Sequence, residues 1–577
     1  MKIKNFFKEN KNLLLYSLLI TIFVCIPLFK SGIMCGHDMS FHLSRFTGII
    51  TSLQDHQMPI AIYPYKNFAY GYASPLFYSD LFLIIPALIV YFTPISLITM
   101  YKILLFIIAF FTAFFTMFTI NRIFKNKKAA IVSAIILMGS EYYLVDLHLR
   151  SAFGELLATC LLPLLIYYIY LFVVEEKENY LSLGIMFALI LNSHNISFLL
   201  SVASFALFML FNIKKFINNK KMIFTLLKAT LIGILFSSAF LIPMLEQYTA
   251  QYLRVHWAII NDFGADAIKL SEFVSDFFSQ YEFKFNNHWQ NTYVGSIKNL
   301  GLLCSFIPFI YLFTKKKNKY INQILCIFII YMYMSSEFFP IEKISIFRFI
   351  QFSPRLYIIV PFLVVYIVAY SMNNFMNNKN MIVLGVVCIY TIVNSMFLFT
   401  GIISDAGALW FEEKATAKEI FDEGKYWWYP PENDDWNWYE IGRAEYLPDR
   451  YYSFPKEGKC LDDENSIQIS CEYERVGTNL TFTLDLDEDK AIQLPLSWYK
   501  GYHVKEIDKD GNVIQEFETY SSFHRSRLTF NALKGKHTYS SKYENTIIQK
   551  ASLALNILSI IAVSIYEIKK RKKWNTN

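Results

Sequence analysis

The sequence has no Cys-x-x-Cys pair and no cluster of histidines with cysteines, which excludes the usual spacings of zinc and haem sites. It has no internal repeat and no low-complexity tract, and only 18% of its 577 residues are charged. The first apolar run, 13–29, has a short charged front and no small-residue cleavage site. We therefore interpret this run as a retained membrane helix and not as a signal peptide that is removed.

Apolar residues make up 54% of the chain and include 54 Phe and 39 Tyr. Apolar runs of about 17–25 residues recur, and each is long enough to cross a bilayer. Basic clusters between them mark the cytoplasmic side, which also argues against nucleic acid as a partner. This pattern predicts a polytopic α-helical membrane protein with both termini cytoplasmic and about twelve crossings, at 12–30, 98–121, 129–145, 155–174, 180–194, 196–213, 222–245, 298–314, 320–337, 355–372, 381–400 and 548–567.

Two apolar segments depart from this pattern. The segment 76–92 is short and contains Pro86, and a full crossing there would invert the membrane orientation of every later segment. We expect a re-entrant or interfacial helix there, within a large first outer loop, 31–97. The pair at 180–213 is short for two crossings, so we expect a break at Ser193-His194-Asn195, because non-helical backbone at membrane depth is tolerated where it lines a cavity.

Charge is divided unevenly along the chain. Residues 401–547 contain 28 acidic and 17 basic residues, a net charge of −11, whereas the whole chain has +7. Apolar and polar residues alternate over 480–486, which predicts a β-sandwich-like extracytoplasmic domain at 401–547 whose first part, 410–424, is helical. The other predicted domains are a multi-spanning membrane domain at 1–400 and a last helix with a basic cytoplasmic tail at 548–577.

Ionisable residues near the membrane converge on the outer face in this topology. Asp38, His42 and Arg45 follow the first helix, and such residues beside a bilayer are costly unless they have a function. The later outer turns supply the rest of the set, namely Asp146, His148, Arg150, Glu155, His194, Glu246, Arg348 and Arg355. For each residue the alternative is a helix-end charge that snorkels to water. So many acids and guanidiniums on one side favour a polar cavity.

Each residue type in this set has a role in group transfer. A carboxylate can take a proton from an attacking hydroxyl, and guanidiniums hold phosphate in bidentate fashion. One base with an arginine clamp fits sugar transfer from a phosphate-linked donor, with inversion by analogy with glycosidases. The alternative is a divalent cation, Mg²⁺ or Mn²⁺, held by Asp38 with Asp146 or Glu155, since both ions prefer oxygen ligands. The sequence does not decide between them.

Several stretches carry a family resemblance. An acid after the first helix, a long first outer loop and a second acidic outer turn resemble the GT-C superfamily of membrane glycosyltransferases. More narrowly, the chain resembles the bacterial YfhO-like proteins and the membrane proteins labelled as 6-pyruvoyl-tetrahydropterin-synthase-related. The matching stretches extend over most of the chain and include Asp38-Met-Ser-Phe-His-Leu-Ser-Arg45, Arg150…Gly154-Glu155, Ser193-His194-Asn195, Ala239-Phe-Leu-Ile-Pro-Met-Leu-Glu246, Gln351-Phe-Ser-Pro-Arg355 and Leu494-Pro-Leu-Ser-Trp-Tyr-Lys-Gly501.

The resemblance implies a polyprenyl-phosphate sugar donor, specifically undecaprenyl phosphate, and a cell-envelope acceptor such as teichoic acid at the bacterial cytoplasmic membrane. Asp38 would match the first-loop acid, which acts as base or metal ligand, and Asp146 or Glu155 would match the second-loop acid. Ser40 departs from an Asp-x-Asp pair, which weakens the expectation of a tightly bound metal. We assign the remaining candidates to the donor phosphate (Arg150, Arg348 and Arg355) and to the cavity or acceptor (His42, Arg45, His148, His194 and Glu246).

The outer domain has two further signals. An aromatic run contains Trp427, Trp428, Trp436 and Trp438, which would form a platform for a glycan chain. The alternative is that these rings pack the domain or its seat on the membrane, since tryptophan favours the interface. The spacing of Cys460 and Cys471 permits a disulfide in an oxidising exterior, with reduced thiols as the alternative.

Three functions fit these residues. The first is a glycosyltransferase at the outer membrane face. The second is a flippase or transporter of a lipid-linked saccharide, since intramembrane charges also mark transport pathways. The third is a non-catalytic envelope-assembly protein that acts through its outer domain. The large first outer loop favours the enzyme, because a carrier needs access from both sides.

Overall fold

The chain folds into two compact units, the first comprising 1–39, 96–233 and 259–415 and the second 40–95, 234–258 and 416–577. The structure is a computed structural model. It describes residues 2–255, 267–276, 300–340, 343–344, 347, 350–375, 378–404, 410–421, 441, 445–448, 459–464, 467–522 and 526–576.

Helices dominate the described part of the first unit. The polar side chains of Ser96, Asn126 and Asn318 cap the first turns of three of them by accepting backbone hydrogen bonds. The helices of this unit are Lys2–Val24, Ile26–Phe29, Leu97–Phe124, Lys127–Met138, Glu141–Leu144, Val145–Arg150, Phe153–Val173, Tyr180–Leu191, Asn195–Phe211, Ile213–Asn218, Leu270–Val274, Leu302–Phe306, Ile307–Phe313, Lys319–Ser335, Ser353–Ile358, Val360–Phe375 and Asn378–Ser404, with Lys220–Ala250 belonging to it up to Gly233.

Six of the described helices are long and apolar enough to cross a membrane: Leu97–Phe124, Phe153–Val173, Lys220–Ala250, Ser353–Asn374, Ile382–Ser404 and Ile547–Lys570. A seventh is added if Lys127–Met138 and Glu141–Arg150, which are bent by 57°, form one span. The predicted polytopic helical fold is thus confirmed, but the number of twelve crossings is not. The helix Leu81–Phe92 has 12 residues, about 18 Å, which is short of a hydrocarbon core of about 30 Å.

Close helix packing holds the first unit together. Met117, Ile136 and Leu162 lie in its apolar core with at most 1% exposure. A Cβ atom added at Gly184 would lie 2.5 Å from the carbonyl oxygen of Ala229, so only glycine permits this approach of two helices. Within a bilayer such van der Waals contact replaces the hydrophobic effect as the main attraction between helices.

In the described part of the second unit, strands form two antiparallel five-stranded sheets. A short pair of strands, β1 (Ile33–Met34) and β2 (Trp410–Phe411), lies in the first unit. The strands of the two sheets are β3 (Cys460–Asp462), β4 (Gln468–Ile469), β5 (Glu472–Val476), β6 (Asn479–Leu486), β7 (Lys490–Ser497), β8 (Tyr502–Ile507), β9 (Val513–Phe517), β10 (Tyr520–Ser521), β11 (Arg527–Ala532) and β12 (Gly535–Tyr543). The strand order is β10-β11-β7-β3-β4 in one sheet and β5-β6-β12-β8-β9 in the other.

The two sheets share one core. Burial alternates along β6, where Leu480, Phe482 and Leu484 point inward, as expected for a strand with one buried face. The ring of Phe482 lies 6.0 Å from that of Phe530 on β11, in the opposite sheet. The β-sandwich expected from the alternating pattern is therefore present in the described part of the domain.

The second unit also contains the described helices Met39–Gln54 (from Ser40), Ser74–Phe77, Leu81–Phe92, Ala417–Phe421 and Ile547–Thr576. Tyr70 and Phe77 lie in the same core as the sandwich residues. Arg527 of β11 donates to the hydroxyl of Tyr70 at 3.1 Å. Large rings bury much apolar area, which explains why this stretch joins the sandwich core. The second unit therefore contains residues 40–95 and 234–258 together with the sandwich.

The structure confirms some of the local predictions and corrects one. The predicted break near His194 is present, since one helix ends at Leu191 and the next begins at Asn195. The segment 410–424 is not one helix: Trp410–Phe411 is a strand and the described helix covers Ala417–Phe421. Backbone pairing with β1 holds the first two residues extended. Cys460 and Cys471 are joined by a disulfide, with their Cα atoms 6.1 Å apart.

Candidate functional site

Asp38 is held by its backbone against the turn that ends at Arg150. The amide of Asp38 donates to the carbonyl of Arg150 at 2.9 Å, and the amide of His37 donates to that of Leu149 at 3.2 Å. A Cβ atom at Gly36 would lie 2.6 Å from the Arg150 carbonyl oxygen. A glycine at this position therefore allows the two segments to come close enough to bond.

The second segment of the site is a bent region at 138–153. The chain leaves Glu141–Leu144 through a π-helical turn, Val145–Arg150, and Ser151 adopts the left-handed conformation with φ 50°. Its carbonyl accepts a hydrogen bond from the Tyr101 hydroxyl at 2.6 Å. Such π turns recur at functional sites because they redirect side chains. Here the bend brings Asp146, Arg150 and the first turn of the next helix together.

Five residues form what we call the acid–arginine cluster: Asp38, Asp146, Arg150, Glu155 and Arg355. Arg150 donates to Asp38 at 2.7 Å through Nη2, and to Asp146 at 2.8 Å and Glu155 at 3.1 Å through Nη1. The other oxygen of Glu155 lies 3.6 Å from Nε of Arg355. Two guanidiniums thus compensate the two buried carboxylates, Asp146 and Glu155, and Asp38 is a third acid bonded to Arg150.

Exposure divides the cluster. The side chain of Asp38 is 37% exposed, whereas those of Arg150, Asp146 and Glu155 are at most 4% exposed. Asp38 is therefore the carboxylate that a ligand can reach. The two buried acids serve as partners of the guanidinium, and the hydroxyl of Tyr142 also donates to Glu155.

Arg355 is bound less completely than Arg150. Its Nη1 donates to the side chain of Gln351 and, at 3.4 Å, to the carbonyl of Ile350. Its Nε is buried and makes no hydrogen bond to the described residues, because 3.6 Å to Glu155 is beyond hydrogen-bond range. Among the described residues Arg355 thus pairs with one carboxylate where Arg150 pairs with three, and its side chain is 10% exposed against 4%. It is therefore the guanidinium of the cluster with more capacity for an anion.

His194 lies at the edge of this cluster. It is 7% exposed and caps the helix Asn195–Phe211, with Nδ1 accepting from the Ser197 hydroxyl at 2.7 Å and from its amide at 3.3 Å. It is close enough to Glu155 and Arg355 to interact with them electrostatically. The predicted cavity residue His148 is not directed to the cluster. Its Nε2 lies 2.8 Å from the Val24 carbonyl oxygen.

Three other predicted cavity residues, His42, Arg45 and Glu246, are engaged within the second unit. Arg45 donates to Asp80 at 2.9 Å and to His42 at 3.3 Å. Burial raises the pKa of Asp80 above its usual value, although Arg45 and the hydroxyl of Tyr63 oppose this. Glu246 accepts from the Thr546 hydroxyl at 2.7 Å and pairs with Lys500 at 3.2 Å. These contacts are typical of residues that stabilise a fold.

Five of the predicted residues lie outside the part of the chain that the structure describes, and two residues that contact the cluster were not predicted. Arg348 and the tryptophans Trp427, Trp428, Trp436 and Trp438 lie outside the described residues. Tyr142 and Phe352, which contact the cluster, were missed. Their positions beside Glu141 and Gln351, in stretches already rich in polar residues, were the available signal.

The cluster does not fit a divalent cation in this arrangement. The Arg150 guanidinium lies between Asp38 and the two buried acids, where a shared cation would have to bind. In the part of the chain that the structure describes, no three His, Cys, Asp or Glu side chains are grouped to hold a metal. We therefore derive no chemical step through a metal ion.

The fold is that of a multi-pass helical membrane protein with an antiparallel β-sandwich, and its candidate site is a largely buried acid–arginine cluster. No family model matches the chain, and no curated protein matches it. Among solved structures, the chain is similar to the arabinofuranosyltransferase AftD from mycobacteria, with 11% identity, a TM-score of 0.47 and 73% of this chain covered. The chain covers 28% of AftD. At this level of similarity the function has to be argued from the site.

Proposed function

We propose that the protein is a membrane glycosyltransferase of the GT-C type, which moves a sugar from a polyprenyl-phosphate donor to a cell-envelope glycopolymer such as teichoic acid. It would act at the outer face of the bacterial cytoplasmic membrane, with residues 401–547 outside. The observation that carries this proposal is the exposure of Asp38 on an otherwise buried acid–arginine cluster.

In this proposal Asp38 acts as the general base. It takes the proton of an acceptor hydroxyl while the hydroxyl oxygen forms a bond to the anomeric carbon of the sugar. The bond from that carbon to the phosphate oxygen breaks, and polyprenyl phosphate leaves with the electron pair. Direct displacement of this kind inverts the anomeric centre. Arg150, at 2.7 Å, orients the carboxylate.

Arg355 is the residue that we assign to the donor phosphate. Arg150 already bonds three carboxylates, so little of its donor capacity remains for an anion. Arg355 pairs with a single carboxylate among the described residues, Glu155 at 3.6 Å, and its side chain is 10% exposed. A guanidinium suits this role because it stays charged and matches phosphate geometry. Asp146 and Glu155 then act as partners of the arginines and not as bases.

The test is transfer of label from a panel of radiolabelled polyprenyl-phosphate sugars to crude envelope acceptor by the purified full chain. Label that enters polymer with wild-type protein and not with Asp38→Asn supports the proposal and identifies the sugar. Absence of transfer from every donor, with an acceptor shown to be competent by another transferase, contradicts it. Movement of labelled lipid across liposome membranes without product would then favour a flippase, and neither activity would favour an envelope-assembly protein.

A further inference from the structure

The ring of Phe352 contacts both guanidiniums of the acid–arginine cluster. Its centroid lies 4.4 Å from Cζ of Arg355 and 5.4 Å from Cζ of Arg150. Both distances are within the range of about 6 Å over which a cation is attracted to an aromatic ring. Glu155 contacts the same two arginines, at 3.1 Å and 3.6 Å. The two guanidiniums are therefore held by a carboxylate and an aromatic ring in common.

The backbone around Phe352 supports this placement. Gln351 has φ 70°, in the left-handed region, which costs a residue with a side chain about 1–2 kcal/mol. Phe352 is extended and immediately precedes the short helix Ser353–Ile358, which contains Arg355. The Gln351 side chain accepts from Arg355 Nη1, so the strained residue also binds the arginine. Such strain persists where the surrounding structure holds it, and it recurs at ligand-binding sites.

The chemistry of the ring differs from that of another acid. An aromatic face attracts a guanidinium without neutralising it, because the attraction comes from the quadrupole of the ring. A carboxylate in the same place would form a direct ion pair with Arg355 and compete with an anionic ligand. Phe352 therefore fixes the position of Arg355 without adding a second carboxylate to Glu155, which already pairs with it at 3.6 Å.

We propose that Phe352 is a positioning residue that holds Arg355 for the phosphate of a polyprenyl-phosphate lipid. This inference rests on the proposed function for the identity of the ligand. It predicts that the aromatic face at position 352, and not its apolar volume alone, sets the affinity for the lipid phosphate.

The experiment compares the full-length wild type with Phe352→Leu, which keeps an apolar side chain but loses the ring, and Phe352→Tyr, which keeps the ring. Binding of undecaprenyl phosphate to purified protein in detergent is measured directly, without turnover, and thermal unfolding confirms that each variant is folded. We expect Phe352→Leu to bind about tenfold more weakly and Phe352→Tyr to bind nearly as well as wild type. In the transfer assay the donor KM should rise by a similar factor while kcat stays unchanged, as expected for a lost binding contact.

Equal binding by wild type and Phe352→Leu overturns the inference, as does a Phe352→Tyr variant that binds as weakly as Phe352→Leu. A wild type that does not bind the lipid overturns it as well. The outcomes separate it from the proposed function. Weaker binding by Phe352→Leu, in a protein that transfers no sugar, supports this inference and contradicts the proposed enzymatic function. Sugar transfer by Phe352→Leu with an unchanged donor KM supports the enzymatic function and contradicts this inference.

Discussion

Replacement of Asp38 by asparagine separates catalysis from stability. The substitution keeps the shape of the side chain and removes the proton acceptor, and loss of a general base lowers rates by about 10²–10⁴-fold. Its effect on stability is small, because the Asp38 side chain is 37% exposed and the ion pair with Arg150 is weakened by water. Pairs of this kind contribute about 0–1 kcal/mol. We therefore expect a folded protein with at least a hundredfold less transfer.

A matched control is Asp80→Asn, the same chemical change in another aspartate–arginine pair. Asp80 accepts from Arg45 at 2.9 Å, and their side chains are 10% and 2% exposed. Loss of a hydrogen bond to a charged group at a buried site costs about 1.5–3 kcal/mol. We expect Asp80→Asn to lose more stability than Asp38→Asn and to retain transfer per folded molecule. Asp80 is not a member of the acid–arginine cluster.

The assay measures label transfer per folded molecule together with the unfolding temperature in detergent. The reasoning would be refuted if Asp38→Asn kept more than about a tenth of wild-type transfer, since a base that contributes a hundredfold or more cannot be lost at so small a cost. It would also be refuted if Asp80→Asn were as inactive as Asp38→Asn when both are folded, because the loss would then follow from any broken aspartate–arginine pair.

Three further predictions concern metal, pH and redox state. Treatment with EDTA should leave transfer unchanged, since Arg150 lies where a shared cation would bind, and restoration of lost activity by Mg²⁺ or Mn²⁺ would contradict this. A hydrogen bond to Glu506 raises the pKa of His537 above 6.5, so this pair should stabilise the protein fully below pH 6.5 and lose its effect as pH rises through the raised pKa. The unfolding temperature of His537→Gln should lack this pH-dependent stabilisation. An identical pH profile of the unfolding temperature in wild type and variant would contradict the prediction. Cys460→Ser removes the disulfide to Cys471, which closes a loop with a sequence separation of 11, and should lower the free energy of unfolding by about 3 kcal/mol. The measurement is denaturation with and without reductant. A wild-type stability that does not change with reductant would count against a stabilising disulfide.

The sequence by itself determined the kinds of element and many of the candidate residues. Long apolar runs predict membrane helices because only a helix satisfies its own backbone in lipid, and alternation over 480–486 predicts the strand β6. The break at His194 was also predictable, because the apolar pair around it is too short for two uninterrupted crossings. Charge beside apolar runs also predicted the candidate site residues Asp38, Arg150 and Arg355.

Only the tertiary structure decided which of these residues contact one another and which of them are exposed. His148 and Arg150 are two positions apart in the same polar stretch, yet one contacts the Val24 carbonyl and the other bonds three acids. The exposure of Asp38 and the approach of Phe352 to two guanidiniums are likewise absent from any local pattern. Local periodicity reports which face of an element is apolar. Ion pairs and exposure depend on contacts within a few ångströms between segments that are far apart in the chain, and these contacts exist only once the helices have packed.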